Sequence, residues 1–446
     1  MTTYARKKAQ LESRLAAAGG ARGLSVRKST SNLFRDRGAH RGARIDLSHF
    51  NGVVSVDAAA GVVEAEGMVT YEALADATLA QCAVPAVVPQ LKSITLGGAV
   101  AGIGIEASSF RHGLVHDTIT SMDVLTGAGQ ILTCTPDNEH RDLFFGLPNS
   151  YGTLGYALKL TARTVPARRC VELRHLRHSD PAAYFADLER RCTDDGIDFL
   201  DGVVFSRNEL FLTLGRFVEH APEVSDYGLE RIYYQSIRER SSDALTARDF
   251  LWRWDTDWFW CSKNVGAQHP LVRRLLGRRR LNSITYQKVM RWNARHGVTR
   301  AWNRIRGIHA ESVIQDVDIP IARAAEFLAF LHAEVGILPI WICPIRAPDP
   351  AQRATLYPLA GDELSINFGF WDAVTSRERI APGHRNRRIE AMARELGGVK
   401  SLYSDSYFTE DEFWSIYDRD AWTALKRRYD PKGTQGDLYA KCVGRA

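Results

Sequence analysis

No run among the 446 residues approaches the roughly 20 consecutive apolar residues that a membrane-spanning helix needs. The first twenty residues, MTTYARKKAQLESRLAAAGG, lack a continuous apolar stretch. That argues against a secretory signal and suits a short amphipathic helix stopped by Gly19-Gly20. Cysteine is sparse: seven, an odd number, scattered, without a C-x-x-C pair or a Cys/His group at metal-ligand spacing. A disulfide framework and a metal site are therefore disfavoured, and a reduced, cytoplasmic chain is expected. Charge of one sign is also scarce. With 58 basic against 52 acidic residues, the net +6 is too mild to call for nucleic acid, though it leaves room for a phosphate-bearing cofactor or a lipid surface.

What is present fits a globular enzyme of more than one domain, since 446 residues exceed the size at which one core stops growing. Between 43 and 166, short Val- and Ile-rich runs such as ARIDLSHF and GVVSVDAAAGVVEAEG alternate with turn residues and one helical stretch, TYEALADATLAQC. Such mixed order predicts an α+β domain rather than a doubly wound parallel sheet. After 167 the helices lengthen and aromatics become frequent. The chain divides into an N-terminal helical extension (1–20), a first domain (21–166), a cap or substrate domain (167–400) and a C-terminal segment (401–446).

The run SITLGGAVAGIGIEASSFRHGLVHD (93–117) looks like a nucleotide loop but has the wrong order for a Rossmann fingerprint. Its glycines still imply tight turns or close approach of backbone to a ligand. Earlier, SVRKSTSNLFR offers hydroxyls, amides and cations suited to a pyrophosphate. Later come VLTGAGQILTCTP and NSYGTLGYALKLTARTVPA. Taken in order, these pieces resemble the vanillyl-alcohol-oxidase-type (PCMH-type) FAD-binding superfamily: an early pyrophosphate loop, T-[LV]-G-G, a G-x-G stretch, a strand ending in a glycine turn, and Gly152-Thr153-Leu154-Gly155. Within it, GIEASSFRHGL is similar to the G-I-E-S-S-S-x-x-Y-G-L of the sterol side-chain (24-dehydrocholesterol) reductases. The likeness continues through VIQDVDIPI, LPIWICPI, LYSDSYFTEDEFW and LYAKC. Those reductases carry a membrane-anchoring N-terminal helix that this sequence does not show.

The resemblance implies an FAD between two α+β subdomains, with a cap domain and a C-terminal segment that returns to the flavin. Its pyrophosphate would lie on Lys28, Ser29, Thr30, Ser31 and Asn32. Thr95, Leu96, Gly97, Gly98, Gly102, Ile103, Gly104 and Ile105 would line the ribityl chain and isoalloxazine as a strand and turn. Gln90, Gly113, Asp117, Gly155 and Tyr156 complete the expected cofactor set. The first loop has no histidine, so the FAD is expected to be non-covalent, with NADPH or NADH as electron donor.

Reducing an isolated alkene requires a hydride at one carbon and a proton at the other, inside a dry pocket. Alternation along LYSDSYF puts Tyr403, Asp405 and Tyr407 on one face of a strand, and Asp405 or Tyr407 is the expected acid. Glu106, inside the glycine-rich run, is expected to pair with Arg111 and brace the loop, with proton transfer as its other possible role. The stretch 250–280 combines four tryptophans with a basic run, which suits peripheral contact with the inner face of a membrane. A packed core with a solvated basic helix, or arginines for nicotinamide phosphates, are the other readings. The expected substrate is a lipid alkene, either a methylene-branched fatty acyl chain or a sterol side chain. An oxidase or dehydrogenase of an alcohol, sugar or hydroxy acid on the same flavin domain stays open, as does a flavin- or lipid-binding protein without turnover. The oligomeric state is open.

Overall fold

The structure is a computed structural model that describes residues 3–17, 25–27, 34–35, 44–359 and 363–443. The expected pyrophosphate residues, Lys28 to Asn32, lie outside the described residues. The fold is α+β, built on antiparallel sheets.

The first sheet collects β3 (Val53–Asp57), β4 (Val62–Glu66), β6 (Ile119–Leu125), β7 (Ile131–Cys134) and β8 (Tyr156–Pro166) in the order β3-β4-β8-β6-β7, with β5 (Ala83–Pro85) paired to the far end of β8. Two three-residue strands before it, β1 (Ser25–Arg27) and β2 (Arg44–Asp46), form a separate parallel pair. Helix Thr3–Ala17 covers this sheet through Tyr4, Leu11 and Leu15, which pack with Leu47, Phe50, Leu125 and Leu158. The Tyr4 hydroxyl donates to Asp123 at 2.6 Å, and Lys7 pairs with Glu66 at 2.6 Å. The amphipathic segment therefore forms, and its apolar stripe is used in the core.

Eight strands make the second sheet: β9 (Cys170–His178), β10 (Phe199–Ser206), β11 (Glu209–Val218), β12 (Ser242–Thr246), β13 (His309–Pro320), β14 (Ile340–Ile345), β15 (Ser365–Ser376) and β16 (Val399–Lys400). They run in the order β12-β9-β11-β10-β14-β15-β13-β16. The longest ladder joins β13 to β15 from His309 opposite Ser376 to Pro320 opposite Ser365. Helices Pro181–Arg191, Ile321–Phe330 and His384–Glu395 bury one face of the sheet through Tyr184, Leu188, Phe327, Leu328 and Ile389.

The other face meets the tryptophan-rich stretch. Trp252, Trp254, Trp258 and Trp260 are all buried and pack with Phe259, Trp341 and Trp371. Arg273, at the head of the basic run, is buried too and pairs with Asp257 at 2.5 Å. The expectation that 250–280 offers its tryptophans to a membrane is thus corrected. Large rings in a core cluster drawn from both sheets are worth more as buried area than at a surface.

Helix Arg419–Tyr429 brings the C-terminal residues against the turns beside β6 and β8 of the first sheet. Trp422 and Lys426 donate to Thr153 at 3.3 and 3.0 Å, and the Ala128 amide donates to the Tyr429 carbonyl. Asp430 fills the space that a side chain at Gly127 would take.

Candidate functional site

The glycine-rich run is more helical than expected. Thr95 caps a helix over Leu96–Ala101, its hydroxyl accepting from the Gly98 amide at 3.2 Å, and Ser109–His112 form a further helical turn. The amides of Leu96, Gly97 and Ala99 donate to Val69, Gly67 and Thr95 carbonyls. This helix start therefore spends its donors on its own fold. The glycines serve close packing: a Cβ at Gly97 would stand 2.9 Å from the Gly67 carbonyl oxygen, and one at Gly104 would stand 2.6 Å from Val115 Cγ2. Leu96 and Ile105 are core residues. Gly113, at φ +72°, is crowded by Asp117, whose carboxylate accepts from the Leu114 amide at 2.7 Å. Gly155 packs on Val124.

Two facing turns carry backbone strain. Ile103 stands at φ +59°, and Asn149 and Tyr151 at +59° and +49°. A β-branched residue in that region costs on the order of 1–3 kcal/mol and persists only where its surroundings enforce it. Here the Tyr151 amide donates to the Ala101 carbonyl at 2.9 Å and its hydroxyl to the Gly102 carbonyl at 3.1 Å. The Arg35 guanidinium lies over the Tyr151 ring and donates to the Leu402 carbonyl. Tyr156, on β8 just beyond this turn, contacts the Val26 backbone and is pushed up to about 12 mainly by burial.

Glu106 pairs not with Arg111 but with Arg253, 147 residues away, at 2.7 Å; Arg253 also holds Asp201 at 2.9 Å. All three side chains are at most 3% exposed. Arg111 instead reaches Asp195 and the carbonyls of Asp194 and Ile197. Burial pushes the Glu106 carboxyl up; Arg253 opposes that and Asp201 adds to it. Trp341 Nε1 donates to Asp201 and the Cys343 thiol to the Glu106 carbonyl, so the triad ties the glycine-rich segment to the second sheet.

Two cavities lie near this triad, one lined by Glu106 and the other by Trp341. One is an open cleft of about 480 Å³ bordered by Glu106, Ser108, His112, Arg168, Phe199 and Phe217. The other has room for about one water and is walled by Gln90, Phe259, Trp260, Asp316, Trp341, Gly369 and Trp371. Among the described residues that wall it, Asp316 is the only ionisable one. It sits on β13 opposite Gly369 of β15, and a Cβ at Gly369 would come within 2.6 Å of its Oδ1. The glycine gives the carboxyl room to lie across the neighbouring strand. The carboxyl opens onto the cavity yet has protein on every side, and burial raises its pKa to about 7. The Tyr403 hydroxyl alongside lowers it, and Asp318 raises it. Asp318 is satisfied separately, accepting from Tyr357 at 2.6 Å and Asn367 at 2.7 Å.

The expected acids stand elsewhere. Tyr403, Asp405 and Tyr407 do share one half-exposed face, with Leu402, Ser404, Ser406 and Phe408 buried behind them. The segment is not a ladder strand, however: single bridges join Ser404 to Phe34 and Ser406 to Val443. Tyr407 packs against Gly383 and the Arg387 guanidinium, and its amide donates to Glu390. The Asp405 carbonyl accepts from Lys400, itself paired with Glu390 at 2.8 Å. None of the three lines the aromatic cavity; Tyr403, packed on Phe34 and on the cavity wall Trp371, is the member of the trio nearest to it. Asp316 was missed, although two acids at alternate positions of an otherwise apolar strand (VIQDVDIP) are a legible sign of a polar inner face.

Residues 2–135 match the family model of an FAD binding domain. The chain is 25% identical to the Delta(24)-sterol reductase of Homo sapiens over 417 residues, which cover 90% of this chain and 77% of the relative. It is 24% identical to the Delta(24)-sterol reductase of Pisum sativum, covering 89% and 76%. A shorter match joins it to cytokinin dehydrogenase 7 of Oryza sativa subsp. japonica, 32% identical over 35% of this chain and 31% of the relative. The protein is an FAD-dependent oxidoreductase. Its resemblance to the PCMH-type FAD-binding proteins, and within them to the Delta(24)-sterol reductases, extends over most of its length. The residues described fit a flavin: Gln90 Nε2, Asn149 Oδ1, Ser150 Oγ and Arg35 Nη2 are buried without hydrogen-bond partners among the described residues, beside the strained turns. Such groups need a polar counterpart, and a flavin's ring edge has both donors and acceptors.

Proposed function

We propose that the protein reduces an isolated carbon–carbon double bond in a branched lipid, a sterol side chain or a methylene-branched acyl chain, drawing electrons from NADPH or NADH through non-covalent FAD. Reduced FAD, when bound, supplies the hydride. Gln90, Tyr151 and Arg35 would hold its ring end, and Trp341, Trp371, Phe259 and Trp260, which as they stand leave room for about one water, would have to part to admit the alkene and would then keep water from it. Asp316 would give its proton to the less substituted carbon, so that positive charge develops at the branched carbon and the hydride goes there; the product gains two hydrogens and Asp316 is left as carboxylate. The observation that supports this most is a lone carboxyl, raised to about 7, in an otherwise uncharged aromatic cavity. A carboxylic acid that stays half protonated near neutrality is the group an unactivated alkene needs.

Anaerobic titration tests this reading: NADPH or NADH should bleach the flavin, and a polyol should not. Bleaching by an alcohol or sugar with peroxide release in air would favour the oxidase reading instead. Acid precipitation should release all of the flavin into the supernatant; flavin retained in the pellet would overturn the non-covalent assignment.

A further inference from the structure

The basic run continues past 280 into a helical hairpin that the enzymatic reading does not use. Helix Ser283–His296 ends at Gly297, whose φ of +66° turns the chain directly into helix Val298–Ile305. The second helix buries none of its residues. Its apolar positions Val298, Trp302 and Ile305 recur at i, i+4 and i+7, and so share one face. That face is open, with Trp302 and Ile305 at 59% and 79% exposure. Trp292 on the first helix and Leu275 just before it are 57% and 82% exposed.

Charge on this element has one sign. Residues 270–308 contain eleven lysines and arginines and no aspartate or glutamate. In the hairpin, Lys288, Arg295, Arg300, Arg304 and Arg306 are exposed and pair with no carboxylate among the described residues. A face that is apolar along one stripe and cationic beside it is matched by an anionic lipid surface, where rings sit at headgroup depth and guanidiniums meet phosphates. A second copy of this chain would bring the same cations to a two-fold contact and be repelled. Nucleic acid would engage the arginines but leave Leu275 and Ile305 in water.

We propose that the hairpin 283–306 is a membrane-docking element that seats on anionic lipid. This rests on the surface alone, independent of the reaction assigned above. It also has a structural consequence: β13 starts at the hairpin with exposed His309 and reaches Asp316 seven residues later, about 23 Å along a strand. A lipid taken from the bilayer would need only that span to meet the aromatic cavity.

Flotation of the flavin-loaded protein with vesicles of phosphatidylcholine alone, or of phosphatidylcholine mixed with phosphatidylglycerol, tests the proposal. Wild type should float with the anionic vesicles and not with the neutral ones. Each exposed cation removed should weaken binding about fivefold, so Arg300→Glu with Arg304→Glu should lose at least tenfold. Trp302→Ser with Ile305→Ser, also at exposed positions, should lose binding while retaining flavin content and melting temperature. Equal flotation of wild type and both variants would overturn the proposal. So would binding to a DNA duplex without binding to vesicles, or a dimer that only the Trp302→Ser/Ile305→Ser variant dissociates.

Discussion

Replacing Asp316 by asparagine keeps shape and hydrogen bonding but removes the proton the alkene is expected to receive. Two separable effects follow. As a general acid of the size enzymes ordinarily use, Asp316 is worth roughly 10²–10⁴ in the reduction step. Wild-type turnover should be level below pH 6 and fall as pH rises through about 7, where the carboxyl gives up its proton. Asp316→Asn should be slower throughout and lack that limb. The second effect is on stability and has the opposite sign. A carboxyl whose pKa climbs from 3.8 to about 7 on folding binds a proton more tightly folded than unfolded. It is neutral in both states below pH 4, and it destabilises the fold increasingly as pH rises from 4 to 7. The full penalty, reached above 7, is about 4 kcal/mol. Asp316→Asn escapes it, so the variant should melt above wild type at pH 8 and level with it at pH 4. Stopped-flow reoxidation of the reduced flavin across pH, beside thermal melts at the same pH values, reads both. Wild-type rate and an unchanged alkaline limb in the variant would refute the role given to Asp316.

Tyr403→Phe removes a hydroxyl that holds the Asp316 pKa down, so the alkaline limb of turnover should move to higher pH, read in the same profiles. Gly369→Ala sets a methyl against Asp316 Oδ1 and should cut turnover roughly tenfold by misplacing the acid, with FAD content unchanged in the absorbance spectrum. Arg253→Met leaves Glu106 and Asp201 buried without their cation and should cost about 3–5 kcal/mol in denaturant melts. Because Arg253 holds the Glu106 pKa down, that loss should grow as pH rises and the Glu106 carboxyl is forced to ionise.

Much of the first sheet could be read from local pattern. Short β-branched runs between turns became antiparallel strands, and Thr70 caps the helix Tyr71–Leu79 as its spacing predicts. The site was less legible because its contacts are long-range. Nothing near Glu106 announces Arg253, and Arg111, five residues on, looked the better partner because sequence distance hides which side chains a sheet brings together. The glycines signalled close approach, yet several approach the chain's own backbone and side chains. Tryptophans beside arginines carry the same composition at a membrane and in a core, and here burial separates Trp258 from Trp302. Asp405 and Tyr407 were chosen for their alternation, which the structure keeps. What alternation does not give is the direction in which their shared face points.

Single-turnover reoxidation tests the central claim most directly. The protein's flavin is reduced anaerobically with NADPH or NADH, excess donor is removed, and a branched lipid alkene is added without oxygen. The account predicts that the flavin regains its oxidised spectrum as the lipid gains two hydrogens, at a rate that Asp316→Asn lowers. A flavin that stays reduced against sterol and methylene-branched alkenes alike, with the lipids recovered unchanged, would contradict it.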